Sequence, residues 1–96
     1  MSFQLHSKAE AEFGEAYFWY ENQSKGLGTQ FILCVNEAIE RVLRNPRLYP
    51  YAQNQMRRAI IKKFPYTIIY EEIESQIWII SVFHSKRNPT HWQTRK

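Results

Sequence analysis

The stretch Tyr66-Thr67-Ile68-Ile69-Tyr70-Glu71-Glu72-Ile73-Glu74-Ser75-Gln76-Ile77-Trp78-Ile79-Ile80-Ser81-Val82-Phe83 decides the fold. Two runs, Tyr66–Ile73 and Gln76–Phe83, are rich in β-branched and aromatic residues, which pack well on a pleated surface. Glu74-Ser75 between them is the length of a tight hairpin turn. The spacing predicts an antiparallel strand pair. Alternation along the second run sends Ile77, Ile79, Ser81 and Phe83 to one face, and Trp78, Ile80, Val82 and His84 to the other. Neither set is strongly polar, so both faces of this strand are expected to be at least partly covered.

Upstream, Phe64-Pro65 separates this pair from a further strand at Met56–Lys62. Pro46, Tyr49, Pro50 and Tyr51 make a turn before it. Asn45-Pro46 stops a helix, because proline disfavours the α conformation at the residue before it. That helix carries Leu27, Phe31, Val35, Ala38 and Val42 on one stripe, with Ile32, Ile39 and Leu43 beside it. So broad an apolar surface predicts a helix covered on two sides. An earlier helix repeats Ala9, Phe13, Ala16, Tyr17 and Tyr20 on one face, with Glu10, Glu12, Glu15 and Glu21 lining the rest. Ser7-Lys8-Ala9-Glu10 reads as its capping box, and Gly26 as the left-handed residue that ends it. The short break makes the two helices an antiparallel hairpin. Phe3 and Leu5 suit a short edge strand at about 2–6. Asn88 reads as the cap of a short turn that opens at Pro89. The order is β-α-α-β-β-β: one α+β domain over residues 1–96, its N-terminal helical hairpin packed on one face of a small, mainly antiparallel sheet. Phe13, Tyr17, Phe31, Val35, Ile39 and Ile79 are the expected core.

The chain has 96 residues, 15 of them aromatic, and one cysteine. A disulfide-stapled secreted domain is excluded, and the rings supply the core that so short a chain needs. No apolar run reaches the roughly 18–20 residues of a membrane span, and the N-terminus lacks the pattern of a signal peptide. A cytoplasmic protein with no membrane partner is expected. The charge is uneven. Residues 1–40 hold Lys8 and Lys25 against Glu10, Glu12, Glu15, Glu21, Glu37 and Glu40, a balance of −4; residues 41–96 hold eleven bases against Glu71, Glu72 and Glu74, a balance of +8. The second half is either a solvated basic surface or the docking surface of an anionic partner, nucleic acid or an acidic protein segment.

The chemistry-bearing residues are few. His6, His84 and His91 are far apart, Cys34 stands alone among apolar helix positions, and no metal-ligand spacing occurs. No metal site and no cofactor are expected. There is no glycine-rich phosphate loop and no aspartate, so carboxylate-pair hydrolysis is disfavoured. What remains is a basic set: Arg57, Arg58, Lys62, Lys63, His84, Lys86 and Arg87. Strand alternation sends Arg58 and Lys62 to one face and Arg57 and Lys63 to the other. Cations gathered at a strand end hold phosphates or stabilise the pentavalent intermediate of RNA cleavage, and a histidine there can move a proton.

Several motifs together resemble a known family. They are Phe18-Trp19-Tyr20-Glu21, Gly26-Leu27-Gly28 with Phe31, Asn45-Pro46, Tyr49-Pro50, Arg57-Arg58, Phe64 through Tyr70, and Val82 through Pro89 followed by Trp92. In this order they resemble the RelE/ParE superfamily of bacterial toxins over about residues 3–93. The resemblance implies the growth-inhibiting toxin of a type II toxin–antitoxin pair, associated with plasmid stabilisation. It also implies a cognate antitoxin with a largely disordered acidic segment, in agreement with the +8 half.

Phe64-Pro65-Tyr66 with His84, Arg87, Pro89 and Trp92 is more similar to the ParE-like branch, whose known members poison DNA gyrase by binding. The RelE-like branch, which cuts mRNA on the ribosome, usually has an arginine where Thr67 stands. In that alternative, Arg58 and Arg87 would hold the scissile phosphate and His84 would move the proton. A third possibility is a non-toxic relic that only binds its antitoxin. For antitoxin or target binding the expected residues are Arg57, Arg58, Lys62, Lys63, Lys86, Arg87 and Trp92.

Overall fold

A computed structural model describes residues 2–87 and 90–95, with Thr90 and His91 described by backbone alone. The cap expected at Asn88, with Pro89, lies outside the described residues. The elements are β1 (Phe3–Leu5), α1 (Ser7–Gln23), α2 (Leu27–Arg44), β2 (Tyr51–Gln53), β3 (Met56–Ile60), β4 (Tyr66–Ile73), β5 (Gln76–His84) and α3 (Thr90–Gln93). They form one five-stranded sheet in the order β1-β5-β4-β3-β2. Only the β1–β5 pair is parallel. The domain is α+β, as read from the sequence, with one strand more than expected. Tyr51–Gln53 belongs to the expected turn region, yet it pairs with Arg57 and Met56 through an irregular register.

The helices cover one face of the sheet. Ala9, Ala16, Phe31, Val35, Ala38, Ile39 and Val42 pack with Ala59, Ile68, Tyr70, Ile77, Ile79 and Val82. Phe31 is the hub. It is fully buried, and its ring lies 5.0 to 5.9 Å from those of Phe13, Tyr20, Phe64 and Tyr66. Phe13 and Tyr17, expected in the core, are only half-buried, on the rim of the hairpin. On the opposite face Met56, Ile69, Ile80 and Phe83 are covered by Trp92 of α3. Both faces of β5 are thus occupied, as its apolar pattern requires.

The face assignment along β5 needs correction. Tyr70 lies opposite Ile79, but Ile69 lies opposite Ser81, so Ile80 is an extra residue in the ladder. Such a bulge reverses the alternation beyond it. Val82 therefore joins Ile77 and Ile79 under the helices, while Phe83 joins Ile80 on the far face.

Two helix ends also differ from expectation. The N–H of His6 bonds to the carbonyl of Ile79, which holds His6 extended, and Glu10 N–H already reaches the His6 carbonyl. The helix therefore begins at Ser7. Its N-cap is His6, whose Nδ1 accepts the Lys8 N–H at 3.1 Å. A Ser7 already in helical geometry cannot act as the cap. At the other end α1 closes at Ser24, and Gly26 (φ 88°) is the entry residue of α2. Gly26 has no side chain to cap that helix. Glu21 does so instead, its two carboxylate oxygens accepting Gly26 N–H at 2.9 Å and Gly28 N–H at 3.0 Å. One side chain thereby ties the end of α1 to the start of α2.

Candidate functional site

The expected basic residues separate into distinct settings. Arg58 and Arg87 both line a pocket of about 290 Å³ on the sheet face away from the hairpin, with Ala52, Thr67, Ile69, Phe83, Ser85, Trp92 and Gln93. Register explains the placement. Arg58 lies opposite Ile69, and Thr67 lies opposite Phe83, so these side chains share one face. The Thr67 and Ser85 hydroxyls are hydrogen-bonded to each other at 2.8 Å. Trp92, 4% exposed, closes the pocket, and its indole ring lies 5.9 Å from that of Phe83.

His84 belongs to the other face. It lies opposite Tyr66, with ring centroids 5.4 Å apart, one register step beyond Val82 and Ile68 of the helix-side core. Its Nδ1 accepts the Lys86 N–H at 3.2 Å, which supports the turn after β5. With Trp19, Tyr20, Tyr66, Lys86 and Arg87 it lines a second, more open pocket of about 560 Å³. Burial pushes the Tyr20 and Tyr66 phenols above the ordinary tyrosine pKa, making them weaker acids, so both remain protonated donors at neutral pH. Trp19 and Phe18 are 58% and 64% exposed there. Arg87 is the residue common to both pockets.

The other expected residues stand apart. Arg57 is engaged within the fold, donating to the Tyr49 carbonyl at 2.6 Å and the Tyr51 hydroxyl at 2.8 Å, with its guanidinium 4.0 Å above the Tyr51 ring. Lys62 and Lys63 do not continue the strand. β3 ends at Ile60, and the chain turns through Lys63 at φ 70° before Tyr66 N–H bonds back to the Phe64 carbonyl. Alternation therefore does not distribute these two lysines between faces, and both are exposed.

Sequence reasoning missed the charged pair beside the site. Arg95 Nη1 and Nη2 donate to the two Glu12 oxygens at 2.9 and 3.1 Å, with side chains only 8% and 13% exposed. Glu12 also accepts from the Ser81 hydroxyl at 2.9 Å and the Val82 N–H at 3.1 Å. Burial pushes the Glu12 carboxyl up, but the guanidinium, hydroxyl and amide donors outweigh it and hold it below the ordinary value. One signal was legible: Glu12 is three residues after Ala9 and four before Ala16, on the buried stripe of α1. Nothing in the sequence singles out Arg95 as its partner.

Among the described residues, no helix is long and apolar enough to cross a membrane. No curated protein sequence matches the chain. A solved structure described as a chromosomal ParDE TA system from P. aeruginosa superposes with a TM-score of 0.66 at 17% identity, over 88% of this chain and 95% of that one. This likeness establishes a shared fold. The family described as ParE toxin of type II toxin-antitoxin system, parDE, matches residues 3–89. The chain belongs to the ParE toxin family of type II toxin–antitoxin systems.

Proposed function

We propose that the protein inhibits growth by binding rather than by cleaving RNA, with DNA gyrase as its target and a cognate acidic antitoxin as its neutraliser, all in the cytoplasm. The observation that carries this reading is the separation of Arg58 from His84. The nuclease alternative needs Arg58, Arg87 and His84 together around one phosphate. Arg58 opens onto the face away from the helices, whereas His84 pairs with Tyr66 on the helix side. The described lining of the arginine pocket contains no histidine, carboxylate, lysine or tyrosine. Two guanidiniums and two hydroxyls there can bind an anion but have no group suited to moving a proton near pH 7.

The test is induced expression of the intact chain with supercoiling and translation followed in parallel. Loss of plasmid supercoiling before any loss of protein synthesis is expected. Translation failing first, with mRNA cut at ribosomal A sites, would reject the binding reading. Absence of growth arrest would identify a relic that only binds its antitoxin.

A further inference from the structure

We infer that the open pocket between α1 and the end of β5 is a nucleotide site, which stacks the base of a purine nucleoside monophosphate on Trp19 and holds its phosphate at Lys86 and Arg87. The inference rests on this pocket alone and not on the toxin reading.

The pocket is walled by rings. Trp19 and Tyr20 lie 5.1 Å apart, Tyr20 and Tyr66 6.1 Å, and Tyr66 and His84 5.4 Å. Tyr20 and Tyr66 also pack on Phe31, which anchors them in the core. Trp19 differs from them. It is 58% exposed, so much of its indole surface has no partner within the fold. An open indole beside a cavity of about 560 Å³ is a surface on which a flat ring can stack.

Cations stand at the same cavity. Lys86 and Arg87 line it, and among the described residues neither is held in an ion pair. Burial and the neighbouring Tyr20 raise the Tyr66 phenol, and Arg87 opposes them, so the guanidinium is within electrostatic reach of that ring. His84 adds a donor. Its Nδ1 accepts the Lys86 N–H, so the neutral imidazole carries its proton on Nε2.

These features select one ligand chemistry. Rings alone would suit a quaternary ammonium, but the two cations repel one. Cations alone would suit any phosphate, but would leave the indole unused. A small molecule that is flat and aromatic at one end and anionic at the other engages both, and a purine offers the larger stacking surface of the nucleobases. A continuous strand fits less well, because a nucleic-acid backbone is held by a track of cations. The adjoining cavity of about 170 Å³ shares Trp19, Tyr66, His84 and Arg87 but is also lined by Glu12 and Glu15. Arg95 neutralises Glu12, whereas Glu15 is exposed and repels a further phosphate.

The experiment is equilibrium dialysis of the intact chain against radiolabelled AMP at low salt. Unlabelled adenosine, UMP, inorganic phosphate and a ten-nucleotide oligoadenylate serve as competitors. Adenosine, UMP and inorganic phosphate should each displace the label about tenfold less well than unlabelled AMP, and the oligoadenylate no better than AMP. Trp19→Leu and Arg87→Gln should each weaken AMP binding about tenfold, and Trp19→Phe, which keeps a ring, should lose less. Lys8→Gln and Arg44→Gln, which remove the same charge elsewhere on the surface, should bind as wild type. Thermal melting of each variant excludes unfolding as the cause. Absence of AMP binding at millimolar concentration would overturn the inference. So would unchanged binding by Trp19→Leu, displacement by inorganic phosphate as effective as by AMP, or equal losses in all the glutamine variants, which would reduce the effect to net charge. Tighter, Trp19-dependent binding of the oligoadenylate would make the pocket a strand site and reject the free nucleotide.

Discussion

Glu12 and Arg95 close the open edge of β5. β1 pairs with β5 only from Ile77 to Ile79, so among the described residues the strand beyond has no neighbouring strand on that side. Glu12 accepts the Val82 N–H at 3.1 Å, and Arg95 donates to the Ile80 carbonyl at 3.1 Å while bridging back to Glu12. An ion pair thus takes the place of a sixth strand, and buried backbone groups beside the bulge find partners.

This pair makes stability pH-dependent. The folded carboxyl titrates below its ordinary value, about 4.5, so its contribution is complete above that pH. It is lost as pH falls through the lower folded value. Removing one partner of a buried pair costs about 3–5 kcal/mol. Arg95 keeps its bond to the Ile80 carbonyl when Glu12 is replaced, so Glu12→Gln is expected at the lower end of that range, about 3 kcal/mol at pH 7. The difference in melting temperature between wild type and Glu12→Gln should stay constant above about pH 5.5 and shrink as pH falls below the ordinary carboxyl value, about 4.5.

Glu21 joins the two helices through Gly26 and Gly28. Glu21→Ala removes a helix cap and a negative charge at the start of α2, a loss of about 1–2 kcal/mol. Gly28 is required for space: a Cβ there would meet the Tyr17 carbonyl oxygen at 2.7 Å and the Tyr17 ring at 2.8 Å. Because one contact is with backbone, Gly28→Ala should cost about 1–3 kcal/mol despite alanine's better helix propensity. Urea denaturation of both variants checks the two values.

The β4–β5 turn is strained and can be relieved. Glu74 and Ser75 have φ of 51° and 65°, the left-handed geometry of a two-residue hairpin. Each non-glycine residue there costs about 1–2 kcal/mol, and asparagine and glycine tolerate it best. Replacing the pair with Asn-Gly is expected to add about 1 kcal/mol, or roughly 4–8 °C in melting temperature.

The legibility of the chain follows the range of each interaction. Period and propensity are local, and they placed α1, α2, β4 and β5 within a residue or two at most ends. What failed was any feature set by tertiary pairing. The bulge at Ile80 arises from how β4 and β5 align, so alternation alone misassigned Val82 and Phe83. His6 caps α1 because Ile79 holds it extended, a contact far away in sequence. The candidate site was legible as a group of basic residues but not as a geometry. Arg58, Arg87 and Trp92 meet, whereas Arg57 is engaged by Tyr49 and Tyr51 and His84 faces the opposite side.

Phe31 tests the core. It is fully buried and touches rings from α1, β4 and the turn before β4. Phe31→Ala should cost about 3–5 kcal/mol. Against a total stability of about 5–10 kcal/mol for a chain of this size, the variant should be largely unfolded near 40 °C and recover structure when a tight partner binds. Circular dichroism with and without the co-expressed antitoxin checks both halves of the expectation.

The last prediction separates binding from catalysis at the residues themselves. His84 contributes a ring contact to Tyr66 and one acceptor to the turn after β5. Glutamine keeps an acceptor there and loses only the ring, so His84→Gln should retain most growth arrest. Arg87 is exposed and borders both the arginine pocket and the open aromatic pocket around Trp19. Its replacement by alanine removes a charge from both surfaces, and toxicity should fall by more than tenfold in the inducer concentration needed for arrest. A nuclease centred on His84 makes the opposite forecast, because losing a proton-transfer group typically costs about 10²–10⁴ in rate. The measurement is growth on graded induction, with antitoxin binding as the control for folding. Full loss of arrest in a His84→Gln chain that still binds its antitoxin would overturn the binding mechanism.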